Sequence, residues 1–335
     1  MTDGARPPLS SESVALSDES QIGEARRAVA ALCRRRGLGE TEAGQASIAA
    51  TEAAANVVRH GGGGELLLRD LGPRDGLELV ALDRGAGIAD VARALEDGYS
   101  TAGSSGTGLG AMRRLSSVFE LWTAPAQGTA VLMRMAGAPL STATTVGAVC
   151  LPHPGEQECG DVWDFESRPS GYRLVIADGL GHGPLAREAA LRAVEGAGRG
   201  PESPSRALEE AHRSALGSRG AALAVADVDL AAGTVRYAGI GNIAGLLMDG
   251  SRTRNMVSMS GTVGQGPPRL REFNYPLERD TVLVMHSDGL GTHWSLERQP
   301  GLIARHPALL AGVLYRDHSR RRDDVTVVAV RRRAS

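Results

Sequence analysis

The first part of the chain alternates helical patterns with short apolar runs. After Asp18, a residue type that caps helix N-termini, apolar residues recur at the spacing of one helix face. These residues are Ile22, Ala25, Val29 and Leu32. A second helix is predicted over residues 40–60, and the polar residues 1–16 predict a loose arm. Apolar runs between turn residues predict strands at 65–71, 76–82, 118–123 and 129–135.

In the second part of the chain, predicted strands are repeatedly bounded by aspartate and glycine. Asp161 opens one strand, and Asp178 and Asp288 follow the ends of two others. Asp323 and Asp324 precede the last strand. Residues 184–215 predict two helices that cover one face of a sheet.

Length, charge and cysteine content narrow the class of protein. At 335 residues the chain has room for about two domains, each with its own core. A net charge of −2 offers no basic footprint, which argues against a nucleic-acid partner. No apolar run has the length of a membrane span, and three cysteines without a Cys-x-x-Cys pair favour the reducing cytoplasm. A metal site of Cys150, His153 and Cys159 stays open, with no fourth ligand in view.

Residues 97–110 are rich in glycine, serine and threonine and lead into a helical pattern. Such a stretch lets backbone N–H groups approach a phosphate at a helix N-terminus. The chain contains no lysine, which excludes P-loop and ordinary protein-kinase sites. A dinucleotide fingerprint needs a buried strand before its first glycine, and residues 97–105 are polar. A nucleotide phosphate lid and a flexible linker are the remaining interpretations.

Two polar groups lie where they can serve a nucleotide. Glu52 and Asn56 are four residues apart, so both project from one face of the second predicted helix. This spacing fits a functional pair or a solvated surface pair. Asp83 ends a predicted strand and is followed by Gly85 and Gly87, which suits binding of an exocyclic amine and a flat ring. An Asx-capped turn is the other interpretation of Asp83.

Three segments in order together resemble the ATP-binding boxes of the GHKL ATPase and kinase superfamily. They are EAAANVVRH at 52–60, DRGAGI at 83–88 and GTGLG at 106–110. Within that superfamily, DGYSTAG at 97–103 with the following GLG and RRL resembles the RsbT-like switch serine/threonine kinases. The resemblance covers roughly residues 15–137.

This resemblance implies a role for each matching residue. Glu52 would be the general base for a substrate hydroxyl, Asn56 would hold Mg²⁺, and Asp83 would bind the adenine amine. Gly85 and Gly87 would shape the adenine pocket. The lid over the ATP phosphates would be formed by Gly106, Gly108 and Gly110.

The aspartates of the second part predict a metal site. Carboxylates that converge at strand ends repel one another unless cations lie between them. Oxygen ligands favour Mg²⁺ or Mn²⁺ over zinc, and a pair of such ions supports displacement at phosphorus. Four unrelated Asp-Gly turns are the alternative.

The same spacing resembles the PPM phosphatases over residues 142–332. DGLGHGPLA at 178–186, with Gly160-Asp161, is similar to their RsbX and SpoIIE branch. The resemblance implies two Mn²⁺ or Mg²⁺ ions held by side chains of Asp161, Asp178, Asp288 and Asp323 and by the Gly179 carbonyl. Asp324 is the alternative to Asp323. Leu180 stands where some PPM enzymes have a histidine proposed as a general acid, and His182 is either a substitute or a structural residue of the turn.

Together the resemblances imply an α+β protein with two α/β-sandwich domains. A GHKL (Bergerat) ATP-binding domain would occupy residues 15–137, and a PPM-type α/β/β/α sandwich residues 142–332. They imply a cytoplasmic, bifunctional partner-switching regulator that phosphorylates and dephosphorylates STAS-domain proteins of the RsbS and RsbR type. A downstream PPM phosphatase or an anti-sigma factor is a further expected partner. Alternatively, the first domain only binds nucleotide to hold an anti-sigma or STAS partner, and the phosphatase is the sole activity.

Overall fold

The computed structural model describes residues 10–72, 75–96, 108–137, 144–199, 203–250 and 252–332. The chain divides into two compact units, and neither is a single continuous segment. The first comprises Met1–Ser141 and Ser295–Val313, and the second Thr142–Trp294 and Leu314–Ser335. None of the helices within the described ranges is long and apolar enough to cross a bilayer.

The first unit contains a five-stranded antiparallel sheet in the order β1-β2-β3-β5-β4. Its strands are β1 (Glu12–Leu16), β2 (Gly64–Asp70), β3 (Leu77–Asp83), β4 (Val118–Thr123) and β5 (Thr129–Met135). Its helices are α1 (Glu19–Arg36), α2 (Glu40–His60), α3 (Val91–Ala94) and α4 (Gly108–Leu115). Helices α1 and α2 pack alanines and valines against one face of the sheet, where Leu66, Leu79 and Met133 complete the core.

Helix α1 begins and ends where its sequence signals predict. The Asp18 side chain accepts a hydrogen bond from Ser20 N at 2.8 Å, and the Gln21 side chain bonds back to the backbone of Asp18. The helix ends at Gly37, whose φ of +66° is the left-handed conformation that glycine adopts without strain.

Strand β1 corrects the expectation of a loose arm for the last part of residues 1–16, whereas residues 1–9 lie outside the described residues. Its five residues pair with β2, with Val14 opposite Leu66. Val14 and Leu16 are 5% and 1% exposed, so this edge strand is held by burial of alternate side chains. A run this short carries too little periodicity to be distinguished from a polar terminus by sequence alone.

The second unit contains two five-stranded antiparallel sheets, ordered β13-β10-β9-β8-β7 and β12-β11-β14-β15-β6. In chain order its strands are β6 (Thr144–Leu151), β7 (Asp161–Arg168), β8 (Gly171–Gly179), β9 (Ala221–Asp229), β10 (Thr234–Ile240), β11 (Ala244–Met248), β12 (Thr253–Met256), β13 (Phe273–Pro276), β14 (Val282–His286) and β15 (Val325–Arg332). The predicted helices in 184–215 are α5 (Pro184–Arg199) and α6 (Pro204–Ala215).

Helices α5 and α6 cover one face of the first of these sheets. Alanines and Leu208 of the two helices pack on Val175, Leu223 and Val225. On the opposite face, Tyr237 of β10 reaches the second sheet, because a Cβ added at Gly245 of β11 would lie 3.0 Å from the Tyr237 ring. The two sheets therefore pack face to face beneath the helices.

In the first unit, the sheet is buried on its second face as well. Val80, Leu82 and Leu132 alternate with the residues under α1 and α2, and they are 5%, 1% and 0% exposed. The covering residues lie in Ser295–Val313, inside the range predicted for the phosphatase domain. Two hydrogen bonds join this segment to β4. The Trp122 indole N–H donates to Pro300 O at 3.0 Å, and His306 N donates to Glu120 Oε1 at 3.1 Å.

The segment Ser295–Val313 includes the start of the last helix, α7 (Pro307–His318). A Cβ added at Gly312 would lie 3.2 Å from the Val80 side chain and 3.3 Å from that of Leu82, so this helix lies directly on the sheet. Its residues from Ala308 to Tyr315 are all buried, as expected for a helix that is apolar all round.

A buried ion triad crosses three strands on this second face. Glu78 of β3 lies opposite Arg69 of β2 and Arg134 of β5. Its carboxylate is 3.0 Å from the Arg69 guanidinium and 2.6 Å from that of Arg134. Burial favours the neutral carboxyl, but the two guanidiniums outweigh it and hold the pKa of Glu78 below its ordinary value.

Replacing Glu78 by glutamine should destabilise the first unit strongly, since it leaves two guanidiniums buried without their shared counter-charge. We expect E78Q to lower the free energy of unfolding by about 3–5 kcal/mol in urea denaturation followed by tryptophan fluorescence. The control is E12Q, which removes the exposed pair with Arg35 and should cost about 0–1 kcal/mol. Equal stability of the two variants would contradict the role of the triad.

The same variant should show a pH dependence of defined sign. Because the folded pKa of Glu78 lies below its unfolded value, the stabilisation is present above the unfolded pKa. It is lost as the pH falls through the folded pKa, so the stability difference between wild type and E78Q should shrink in acid.

Candidate active sites

Glu52 and Asn56 lie on successive turns of α2 and face the start of α4. A Cβ added at Gly108 would lie 3.0 Å from Glu52 Oε2 and 3.5 Å from Asn56 Nδ2. Glycine at this position therefore lets the first turn of α4 approach the acid–amide pair. Gly110 is buried further along the same helix. Residues 97–107 of the predicted lid, including Gly106, lie outside the described residues.

The carboxylate of Asp83 is oriented by backbone donors at the end of β3. Its Oδ1 accepts hydrogen bonds from Gly85 N at 2.8 Å and from Thr129 N at 3.1 Å. Gly87 has a φ of +81°, and a Cβ there would lie 2.4 Å from Ala124 O. The glycines after Asp83 are thus required by backbone conformation and by close packing.

These elements line one cavity of about 450 Å³, which is large enough for a nucleotide. Of the predicted residues, Asn56, Asp83, Gly87 and Gly108 line it, while Glu52, Gly85 and Gly110 lie outside its wall. Sequence reasoning missed other wall residues, namely His60, Ile88, Met112 and Thr129. For Thr129 a signal existed, since it is a polar residue that opens a buried strand directly after a turn glycine.

In the second unit, strand pairing brings the first two predicted metal ligands together. Asp161 at the start of β7 is the register partner of Asp178 at the end of β8. Asp161 is 0% exposed, and its Oδ2 accepts a hydrogen bond from Ser287 Oγ at 2.6 Å. Its Oδ1 is buried with no hydrogen-bond partner among the described residues. Next to Asp178, a Cβ added at Gly179 would lie 1.9 Å from Ala186 O, so only glycine fits there.

The remaining predicted ligands lie around a cavity of about 300 Å³. Asp178, Asp288 and Asp323 all line it. Asn242 Nδ2 donates to Asp288 Oδ2 at 2.8 Å and holds that carboxylate toward the cavity. Asp324 is 3% exposed and does not line the cavity; its Oδ1 accepts from His153 N at 2.8 Å, and its Oδ2 is buried without a partner within the described ranges.

Asp178 and Asp161 both have strongly raised pKa values. Desolvation is the main cause that raises the pKa of Asp178 and Asp161 well above the ordinary value of an aspartate. The surrounding carboxylates raise both further, whereas the Ser287 hydrogen bond partly opposes the rise for Asp161. The cluster is therefore an acidic site in which a divalent cation relieves both desolvation and repulsion.

The residues fit hard divalent cations. The donor set is all oxygen, and the buried Asp161 Oδ1, which has no hydrogen-bond partner among the described residues, could accept a cation. Within the described ranges, no three His, Cys, Asp or Glu side chains form a ready-made cage about one point. The repulsion between the carboxylates still indicates a cation site, because Mg²⁺ keeps several waters and needs few direct protein ligands.

The cysteine–histidine alternative is not supported. Cys150 and Cys159 are buried free thiols whose sulfurs lie 3.6 Å apart. The His153 ring instead stacks on His182, with ring centroids 4.5 Å apart. Sequence reasoning did not include His153, Asn242 or Arg322 in the phosphatase site, although all three line the cavity beside the aspartates.

Two family models match successive parts of the chain. The histidine kinase-like ATPase domain family matches residues 15–135, and the stage II sporulation protein E (SpoIIE) family matches residues 168–333. Serine/threonine-protein kinase RsbT of Bacillus subtilis (strain 168) is 31% identical over 120 residues, which cover 35% of this chain and 90% of RsbT.

Solved structures agree on the fold. A chain from a study of the bacterial stressosome, described as a modular system adapted to control secondary messenger signalling, superposes with a TM-score of 0.53 at 25% identity. The aligned region covers 56% of this chain and 99% of the stressosome chain. RsbX in complex with magnesium superposes with a TM-score of 0.50 at 19% identity, over 57% of this chain and 96% of RsbX.

The predicted fold class and the fusion of two resembling domains are confirmed. The chain thus belongs to the RsbT serine/threonine kinase family through its ATPase-like domain, and it is an enzyme that joins this domain to a SpoIIE-type serine/threonine phosphatase domain.

Proposed function

We propose that the chain is a bifunctional partner-switching regulator. Its first domain transfers the γ-phosphate of ATP to a serine or threonine of a STAS-domain protein, and its second domain hydrolyses the phosphate from that protein or a related one. The observation that carries the proposal is that one chain contains both a nucleotide-sized cavity lined by Asn56 and Asp83 and a separate cavity lined by Asp178, Asp288 and Asp323.

For the kinase step, each residue has a defined task. Asp83, oriented by Gly85 N and Thr129 N, accepts a hydrogen bond from the adenine amine. Asn56 holds Mg²⁺ through its amide oxygen, and Glu52 accepts the proton of the incoming hydroxyl. Gly85 and Gly87 shape the adenine pocket, while Gly106, Gly108 and Gly110 close over the phosphates. Bound ATP and Mg²⁺ supply the phosphoryl group and neutralise its charge.

For the phosphatase step, Asp161, Asp178, Asp288 and Asp323 hold two Mn²⁺ or Mg²⁺ ions, with the Gly179 carbonyl as a further ligand. These ions supply an activated water and stabilise charge at phosphorus when bound. We assign Asp323 rather than Asp324 as the last ligand because Asp323 lines the cavity. Asp324 instead holds the backbone of His153. Ser287 and Asn242 keep Asp161 and Asp288 in place.

The partners are proposed from the relatives. RsbT is a serine/threonine kinase, and the stressosome is the subject of the similar solved chain. We therefore propose RsbS- and RsbR-like STAS proteins as substrates, with a PPM phosphatase or an anti-sigma factor downstream. The buried free thiols agree with the reducing cytoplasm, where we place these partners. No nucleic acid or membrane is part of the proposal.

The kinase proposal predicts a large effect at Glu52. Glu52→Gln should lower γ-phosphate transfer to a purified STAS protein by about 10²–10⁴-fold, since the general base is lost, while ATP affinity changes little. Transfer is measured with labelled ATP and affinity by calorimetry. The control is Glu24→Gln, an exposed glutamate of α1 that should leave transfer unchanged.

Two results would contradict this assignment. Transfer that survives Glu52→Gln would refute the role of that residue. A wild-type protein that binds ATP but transfers no phosphate would favour the binding-only alternative, in which the phosphatase is the sole activity.

The metal proposal predicts opposite effects of Asp178→Asn on stability and activity. Without divalent cations, removing one desolvated and repelled carboxylate should raise the melting temperature, by roughly 2–4 °C for each 1 kcal/mol gained. Mn²⁺ should raise the melting temperature of wild type by mass action but not that of Asp178→Asn, and phosphoserine hydrolysis should be lost. Asp280→Asn, an exposed carboxylate outside the cluster, is the control. Full hydrolysis in EDTA would refute the metal site.

A further inference from the structure

Helix α2 buries one face in the core of the first unit and leaves another face open. Its buried residues are Ala46, Ala49, Ala50, Ala53, Ala54 and Val57. Gly44, Ile48 and Glu52 follow one another at intervals of four residues, so they lie on successive turns of a different face. Gly44 and Ile48 are exposed, and Glu52 is half-buried. These three residues are called the Glu52 face below.

The Glu52 face contains an exposed apolar side chain. Ile48 is 52% exposed, and no other large hydrophobic residue is exposed among the described residues of the first unit. The hydroxyl groups beside it are used within the helix, since Ser47 Oγ donates to Ala43 O and Thr51 Oγ1 donates to Ser47 O, each at 2.7 Å. One exposed isoleucine is ordinary on a protein surface, so the significance of Ile48 depends on its neighbours.

Gly44 is a glycine that neither the backbone conformation nor the packing of this chain requires. It lies in the interior of α2, where glycine is less favourable than every residue except proline. Its φ is not in the left-handed region, and an added Cβ would meet no atom of the described residues within 4 Å. Gly108 differs, because its missing Cβ makes room for Glu52 Oε2. At an open position such as Gly44, glycine permits close approach by the backbone of another molecule.

Phosphoryl transfer brings a second molecule to this face. In the proposed function Glu52 accepts the proton of a serine or threonine hydroxyl of the acceptor protein, so that side chain must reach Glu52. Side chains four residues apart on a helix are separated by about 6 Å. An acceptor segment that runs along α2 from Glu52 therefore passes over Ile48 and then over Gly44. The acceptor segment is the occupant that is continuous with the site of transfer.

We propose that the Glu52 face is the docking surface for the acceptor segment of the substrate protein. An apolar side chain of that segment packs on Ile48, and its backbone lies against Gly44. Because an extended segment rises about 3.3 Å per residue, the apolar residue stands two positions from the phosphorylated serine or threonine. The surface thus selects acceptors with this spacing. This inference rests on the proposed kinase function.

Substitution of Ile48 should weaken acceptor binding and leave nucleotide binding unchanged. Ile48→Gln should raise KM for a purified STAS-domain protein by about tenfold, because an apolar contact is lost, whereas Ile48→Leu should keep the parent KM. The affinity for ATP, measured by calorimetry, should be the same in all variants. The control is Leu191→Gln, which changes an exposed leucine of α5. The parent of all variants is the full chain with Asp178→Asn, so that the second domain does not remove the transferred phosphate.

Substitution of Gly44 should stabilise the fold and still impair transfer. Gly44→Ala should raise the melting temperature by roughly 2–4 °C, because alanine favours the helix. It should raise KM for the acceptor protein at the same time, and the longer side chain of Gly44→Gln should raise KM further, by about tenfold. The matched control is Gly198→Gln in α5, where an added Cβ also meets nothing within 4 Å. This control should leave KM unchanged.

A double-mutant cycle tests the contact itself. Mass spectrometry locates the phosphorylated residue of the STAS-domain protein, and the apolar residue two positions away is replaced by glutamine. If this residue packs on Ile48, the loss in kcat/KM for the two changes together should be smaller than the product of the two separate losses.

The outcomes separate this inference from the function on which it rests. If the parent protein transfers phosphate, an unchanged KM in Ile48→Gln or in Gly44→Gln would overturn the docking surface and leave the kinase function intact. Losses that multiply in the cycle would overturn the proposed contact as well. A parent protein that transfers no phosphate to STAS-domain proteins would overturn the kinase function, and this inference with it.

Discussion

Mutual repulsion of buried carboxylates is the constraint on which the second unit depends. The register of β7 and β8 places Asp161 opposite Asp178, and the loops before β15 and after β14 add three more aspartates. Protonation or a bound cation relieves the repulsion in such a cluster, and the surrounding backbone leaves it little room for relaxation. Close packing supplies that rigidity, since a Cβ at Gly289 would lie 1.9 Å from Asp324 O.

The glycines beside these aspartates follow from the same constraint. At Gly160, a Cβ would lie 2.6 Å from Asp324 Oδ2, and at Gly179 it would strike the backbone of α5. Each glycine therefore allows an acidic side chain or a neighbouring helix to approach closely. The Asp-Gly pairs are consequences of packing around the site, in addition to being turn signals.

In the first unit, both faces of the sheet are buried. Helices α1 and α2 cover one face, and Ser295–Val313 covers the other. The Glu78 triad lies on that second face, where two arginines share one carboxylate in an apolar setting. Residues far along the chain are thus part of the unit that holds the nucleotide cavity. In the proposed function, a single chain also raises the effective concentration of each activity at a shared substrate.

The sequence by itself determined the features that rest on local order. Helices α1 and α2 and the strands carrying Asp83 and Asp178 were predicted because their periodicity and turn residues act within a few positions. The aspartates around the phosphatase cavity were predicted because each adjoins a strand end. Strand β1 was missed because five residues give little periodicity, and its identity depends on pairing with β2.

Only the tertiary structure decided which distant residues meet. Thr129 and Asp83 are 46 positions apart, as are Asn242 and Asp288, and Glu156 and His182 are 26 apart. No local pattern encodes such pairs, since they arise from strand register and from loops closed over the sheet ends. The sequence did not predict that Ser295–Val313 covers the first sheet, because an apolar segment shows that it needs burial but not against which surface.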